Sequence, residues 1–487
     1  MRPVTFNDFR GLDLRRNKEA SDPRTLLTST NIDIRSGGQI VARDGLKKVA
    51  TLDSESVGLY SANGVLRSVI PCGHSIPGAT VGEVLVMYDA IGDSDSVAYP
   101  TSVIDRVTAV ETIGASAISG VYPYVVIKRT NGTYEHHWIR SAPVPTAGSP
   151  PTPSTDPVNT KVSLPFQPGA DLLKLQYKLW ATDNLNGAVR FSSTLNGPSD
   201  WTNEADAGYL PVLQHVSGSR TIRALGYFNG LLVVLFADAI QLWFVDPDPS
   251  RHALQRVMNG PGTDTPGATE NVLGDLMYFS RGGFRSLKTV IQTGEPREGD
   301  VGAKIQALTS EIDTTTATPI ALWSQARSQY LCAVGSTIYA YTLSEIAKQK
   351  DWSTWVLPFT VDYMVEHNGQ LFVRSGDDVY RFDPDQTTDD GTAITWRLRF
   401  QYIDLGSKMR KQWNFLRLVQ TGTSRVNFYY DARDPSAVMV GPELVNSTQT
   451  LDPSYIGLVT ESMSIEFTGT GRWQLDSFTL DAAELSW

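Results

Sequence analysis

Two stretches decide the reading: NGLLVVLFADAIQLWFVDPD (229–248) and NGQLFVRSGDDVYRFDPD (368–385), 139 residues apart. In both, an Asn-Gly pair leads into an apolar run, a short polar or Gly turn, a second run with an aromatic residue, and Asp-Pro-Asp. Asn-Gly at such a place predicts a tight hairpin turn, because both residues tolerate positive φ. Fainter copies lie between, GDLMYFSRGGFRSL (274–287) and SQYLCAVGSTIYAY (328–341). Taking Leu232, Leu276, Tyr330 and Leu371 as equivalent positions, the steps are 44, 54 and 41 residues. A hairpin recurring at roughly 40–55 residues has the spacing of four-stranded propeller blades.

Burial gives that spacing its force. A lone hairpin is marginal in water, and the run Leu231–Phe236 is apolar on both faces, so it requires cover on both sides. Radially stacked blades supply it; the alternative is an ordinary β-sandwich with coincidental hairpins.

Working outward, residues 1–45 read as an extended arm in which Phe6, Phe9, Leu12 and Leu14 are interspersed with Arg10, Arg15 and Arg16, ending in a hairpin around Ser36-Gly37-Gly38. Residues 46–94 read as first propeller or platform strands, which could form a further blade or one shared between the chain ends. Over 95–185, VYPYVVIKRTNGTYEHHWI (121–139), a Pro-rich loop (142–159) and DLLKLQYKLWATD (171–183), taken as one strand of period two, suggest an inserted immunoglobulin- or fibronectin-like β-sandwich. Propeller blades fill 186–385, and 386–487 is a C-terminal antiparallel β domain with Trp396, Leu398 and Phe400 on its dry face. One helix is expected after Asp300, with Val301, Ile305, Leu308 and Ile312 on one face, and a weaker one over Ser344–Lys350. The expected class is all-β: a propeller with an inserted sandwich and a C-terminal β domain.

The chain has 487 residues, 41% hydrophobic and 19% charged, as in packed domains rather than disordered chains. A net charge of −10 argues against a broad basic face that grips phosphates. It permits nucleic acid to slide past a repelling wall. Two cysteines, Cys72 and Cys332, make no disulfide framework. Neither a secretory leader nor a membrane-spanning run is recognisable, so a soluble protein made in a cytoplasm is expected.

No catalytic, metal or cofactor set emerges. His136 and His137 point to opposite faces of a strand, and Cys72 with His74 offers two ligands where a site needs more. Asp389–Trp396 comes near the Asp-box turn of sialidase propellers, but it occurs once and its Trp lies two residues late. A non-enzymatic chain is therefore expected. Arg10, Arg15 and Arg16 are the only local basic cluster, readable as a solvated arm or as docking residues for an acidic partner.

A resemblance sharpens this. PVTFNDFRGLDLRRNKEA (3–20) followed by NIDIRSGGQIVARDGLKKV (31–49) resembles the opening of bacteriophage tail proteins, departing from their GGLN phrase at Arg10-Gly11-Leu12-Asp13. Arg190-Phe191-Ser192 with Pro198–Trp201, AIQLWFVDPD (239–248) and DVGAKIQAL (300–308) are similar to the tail nozzle proteins of short-tailed phages, relatives of packaged-DNA stabilisation proteins. The resemblance implies a virion tail protein assembled in the host cytoplasm. It implies a homo-hexameric ring below the portal and its adaptor, or head-tail connector, that retains DNA and then conducts it without sequence-specific contacts. Tail fibre or spike proteins would be further neighbours. The alternative from the residues is a carbohydrate-binding or glycosidase-type propeller acting on a cell surface.

Overall fold

The computed structural model describes residues 3–15, 22–35, 38–52, 56–62, 64–71, 85–89, 104–115, 118–139, 159–194, 200–203, 205–216, 218, 221–260, 262–293, 301–314, 317–344, 349–445 and 454–485. The Asn-Gly turns are as expected: Asn229 and Gly230 have φ of 47° and 83°, Asn368 and Gly369 of 50° and 73°. Both close two-residue hairpins, Phe228 pairing Leu231 and His367 pairing Gln370.

Those hairpins belong to a ring of seven blades. The first is 57–62, 65–71 and 85–89; the second 104–115, 118–129, 134–139 and 159–161; the third 168–175, 178–183, 188–191 and 208–210. The fourth is 224–228, 231–235, 239–244 and 253–259; the fifth 270–272, 275–280 and 283–286; the sixth 320–324, 329–334, 337–344 and 349–356. The seventh is 363–367, 370–375 and 378–383, completed by Gly45–Thr51, which pairs antiparallel with Asp378–Asp383. Each innermost strand packs on the next, and Tyr363–His367 returns to Val57–Ala62, so the ring is closed. Apolar side chains fill each gap between blades: Tyr60, Val69, Val125 and Ile127 between the first two, Trp180, Phe191, Leu232 and Trp243 between the third and fourth. The protein is all-β, with a propeller at its centre.

In place of the inserted sandwich expected over 95–185, two antiparallel sheets spanning 104–161 and 168–210 pack face to face through Tyr124, Trp138, Leu172, Leu179 and Trp201. Their outer faces are also covered, by the first and fourth blades, so here the two sheets are consecutive blades of the ring. Most of the Pro-rich loop lies outside the described residues. DLLKLQYKLWATD is not one strand. It reverses at Gln176 and Tyr177, both in the left-handed region at φ 52° and 63°, and Leu173 pairs with Trp180. Lys178, placed by period two on a wet face, is therefore fully buried.

The C-terminal domain is a two-sheet sandwich. One sheet orders 32–34, 40–42, 474–484, 411–421 and 454–460, with 4–6 also on 474–484. The other runs 26–30, 395–400, 464–470, 423–429 and 438–445, and it is not separate from the ring. Strand 26–30 runs parallel to 349–356, the outer strand of the sixth blade, and pairs with it at Thr30 and Thr354, so nine strands belong to one sheet.

The expected arm is thus part of the core. Phe9 stacks on Phe478 at 5.6 Å and meets Phe400 at 5.2 Å, and Gly11 lies so close that a Cβ there would sit 2.5 Å from the Trp352 carbonyl oxygen. Phenylalanines that would cost solubility in a free arm close the sandwich.

The helix expected after Asp300, a residue outside the described set, reduces to a 3-10 turn (Ala303–Ile305) and a single α turn (Gln306–Thr309). Ile305 is buried but Leu308 is exposed, so the four apolar residues do not share one covered face. No side chain caps the segment, and β-branched Thr309 and Thr314–Thr316 disfavour its extension. The second expected helix is a hairpin, with Ser344 pairing Gln349 and Leu343 pairing Lys350, its tip outside the described residues. A helix not expected, Leu287–Thr293, follows the fifth blade.

Candidate functional site

Three places concentrate charge: the ring axis, the seam where the ring closes, and its junction with the sandwich. Innermost strands have one edge without a strand partner, and side-chain oxygens of two acids and an asparagine bridge those edges. Glu111 of the second blade accepts from Lys174 N–H of the third at 3.0 Å. Asp171 of the third accepts from Leu225 N–H of the fourth at 2.6 Å and from its neighbour Leu172 at 2.9 Å. Asn271 of the fifth accepts from Tyr227 N–H of the fourth at 3.2 Å.

Burial pushes the Asp171 and Glu270 carboxyls up to about 7 and raises Glu111. Like charge adds to this: Glu111 raises Asp171, and both raise Glu270. Backbone N–H groups pull all three down, joined at Glu111 by the Lys174 ammonium.

The sign of the pH effect follows. From about 4 to about 7 the folded chain keeps protons on Asp171 that the unfolded chain has released, so this group's contribution to stability falls as pH rises and levels off above. Buried His136, lowered to about 3 by burial and by His137, acts oppositely as pH falls below 6.5. The comparison is therefore between variants at each pH. Relative to wild type, Asp171→Asn should lose stability at pH 5 and recover toward it at pH 8; parallel melting curves across that range would refute the assignment.

At the closing seam, Arg374 of the seventh blade is buried and reaches into the first. It donates to the Gly58 carbonyl at 2.9 Å, the Ser56 carbonyl at 2.6 Å and the Ser68 hydroxyl at 3.2 Å, and to its own Gly376 carbonyl at 2.7 Å. Ser61 and His367 Nδ1 meet nearby at 2.9 Å.

The junction is organised by Arg43. Its Nε donates to Asn31 at 2.9 Å, Nη1 to the Asp44 carbonyl at 3.0 Å and to Asp389 at 2.9 Å, and Nη2 to the Val356 carbonyl at 3.0 Å and to Asp389 at 2.5 Å. All five N–H groups are used. The partners come from the sandwich entry, the sixth blade and the turn after the seventh. Beside it opens a cleft of about 310 Å³, walled by Arg35, Val41, Asp44, Arg472 and Trp473 on one side and Pro384–Thr387 on the other.

The sandwich ends in two edge strands consecutive in the chain, 438–445 in one sheet and 454–460 in the other. Val440, Val445, Tyr455 and Val459 are exposed on them.

Of the residues singled out in the sequence, Arg10 pairs with Asp8 at 3.3 Å and approaches buried Asp351 at 4.0 Å. Arg15 Nε donates to Asp13 at 2.8 Å, while Arg16 lies outside the described residues. Arg10 and Arg15 are thus each drawn into an ion pair with an aspartate of the arm itself. His136 and His137 do face apart: His136 meets the Tyr124 hydroxyl at 3.0 Å, and His137 lies 3.4 Å from Glu135. Cys72 and His74 are outside the described residues; Cys332 is buried with its thiol pushed up to about 12 by burial. Asp389 is no sugar-facing turn residue but the partner of Arg43. Sequence reasoning missed Arg43 and Arg374, for which no local pattern signals a partner about 310–350 residues away. Among the described residues, no group of three or more His, Cys, Asp or Glu could hold a metal ion. No described helix is long and apolar enough to cross a membrane.

No protein-family model and no curated protein matches the chain. Similar solved structures include the WD40 β-propeller domain of Doa1, 11% identical with a TM-score of 0.35, covering 69% of this chain and 96% of that one. The Neurospora crassa Pan2 WD40 domain is 7% identical with a TM-score of 0.39, covering 71% and 96%. The extracellular domain of a putative one-component system, BT4673 from B. thetaiotaomicron, is 7% identical with a TM-score of 0.38, covering 85% and 48%.

Proposed function

We propose that the chain is a structural subunit of a bacteriophage tail, the nozzle of a short-tailed virion, which continues the DNA channel below the portal and adaptor. The observation that carries this reading, beside the phrases quoted from the sequence, is the nine-stranded sheet that joins ring to sandwich through Thr30 and Thr354. A wall under internal pressure needs subunits that do not hinge, and the Thr30–Thr354 strand pairing together with the buried Arg43–Asp389 contact ties the two halves. The adjacent sandwich edges, with apolar side chains in the open, suit edge-to-edge assembly into a homo-hexamer. A net charge of −10 suits a lumen through which DNA slides.

Purified protein, alone or with its adaptor, should form rings with an axial channel in electron images. Stable monomers under assembly conditions would count against the proposal. Duplex DNA should bind weakly even at low salt, and a tight, salt-sensitive gel shift would contradict a repelling lumen.

A second reading, a carbohydrate-binding or glycosidase-type propeller acting on a cell surface, draws on the raised axial carboxyls, since glycoside hydrolysis needs one protonated and one ionised acid. Against it, Glu111 and Asp171 already stitch neighbouring blades through backbone N–H groups. Polysaccharide turnover abolished by Asp171→Asn would decide for this reading.

A further inference from the structure

We propose that the cleft between ring and sandwich binds a phosphate-class oxyanion, free or esterified to a small molecule. The charges that line it leave a surplus. Arg43 is spent on Asp389, and Asp44 is held by Arg327. Arg35, half exposed at 50%, has only Asp44 nearby at 3.9 Å, beyond hydrogen-bond reach. Among the described residues its guanidinium has no acceptor. Arg472, 63% exposed, gives one N–H to the Pro384 carbonyl and has Asp385 at 3.8 Å. Asp385 itself is 92% exposed at the rim.

Two guanidinium forks with unused donors therefore share one concave space, on a chain whose net charge is −10. A planar fork of N–H donors matches the oxygens of an oxyanion, and two forks on one concave surface can grip it together. About 310 Å³ bounded on both sides accommodates a phosphate with a small body attached. The overall negative charge repels a long polyanion at a distance while leaving a small anion free to enter. This inference is independent of the tail assignment.

The test is calorimetric titration of the full chain with inorganic phosphate and with glycerol 3-phosphate, at matched ionic strength in chloride. Saturable binding is expected, weakened about tenfold or more in Arg35→Gln and in Arg472→Gln. Asp385→Asn removes the carboxylate competing for Arg472 and should tighten binding, a gain that damage to the fold could not produce. Tighter binding of the ester than of the ion assigns the site to a small molecule, and the reverse assigns it to the free ion. Absence of saturable binding by both ligands, or affinities unchanged in both arginine variants, overturns the proposal.

Discussion

Arg43→Met is expected to destabilise the protein by about 3–5 kcal/mol, the cost of leaving a buried carboxylate without its partner. Asp389 would remain inside with both oxygens stripped of the guanidinium that now meets them at 2.9 and 2.5 Å. The Val356 and Asp44 carbonyls would lose a donor as well. Adding Asp389→Leu should restore much of the loss, because a well-packed apolar pair often replaces a buried ion pair at little cost. Denaturant titration of the two variants checks this directly. A double variant no more stable than Arg43→Met would show that geometry, not the stranded charge, sets the penalty. Amide exchange should rise first at 31–44 and 386–389, where ring and sandwich meet.

Arg374→Met is the second large effect, expected on the order of 3 kcal/mol or more, since several buried acceptors lose their donor at once and each unsatisfied group costs about 1–3 kcal/mol. Its signature differs. The Ser56 and Gly58 carbonyls and the Ser68 hydroxyl belong to the first blade, so exchange should rise over 56–71 and 363–383. Blades four and five, on the far side of the ring, should keep their protection. A uniform rise across all blades would mean that Arg374 supports the whole ring rather than its seam.

Much of this architecture is legible in the sequence wherever a local rule governs. Asn229-Gly230 and Asn368-Gly369 take the turn that their chemistry allows, and Trp396, Leu398 and Phe400 alternate inward as written. Legibility stops where tertiary context overrides a local rule. At Gln176-Tyr177 nothing marks a turn, because neither residue favours positive φ, yet pairing of Leu173 with Trp180 imposes it. That reversal hides Lys178, whose ammonium reaches the Asp206 carbonyl at 2.5 Å and the Ser192 carbonyl at 3.3 Å. The mixture of apolar residues and arginines in the arm could be an exposed tether or a core segment, and only the hollow it fills distinguishes them. The arginines that organise seam and junction find partners far along the chain, which no single-sequence pattern exposes. The acids of the innermost strands are equally silent: the Glu111, Asp171 and Glu270 carboxyls are raised only because the second, third and fifth blades bury them within reach of one another's charge.

Completion of the seventh blade by Gly45–Thr51 has a consequence for synthesis. This strand leaves the ribosome early, but its partner Asp378–Asp383 follows only after more than three hundred further residues have been translated. Until then the nascent chain carries an unsatisfied strand edge, which makes it a target for holdase chaperones and for misassociation with neighbouring polypeptides on the same polysome. Slow release of the native form is the natural outcome of such long-range pairing.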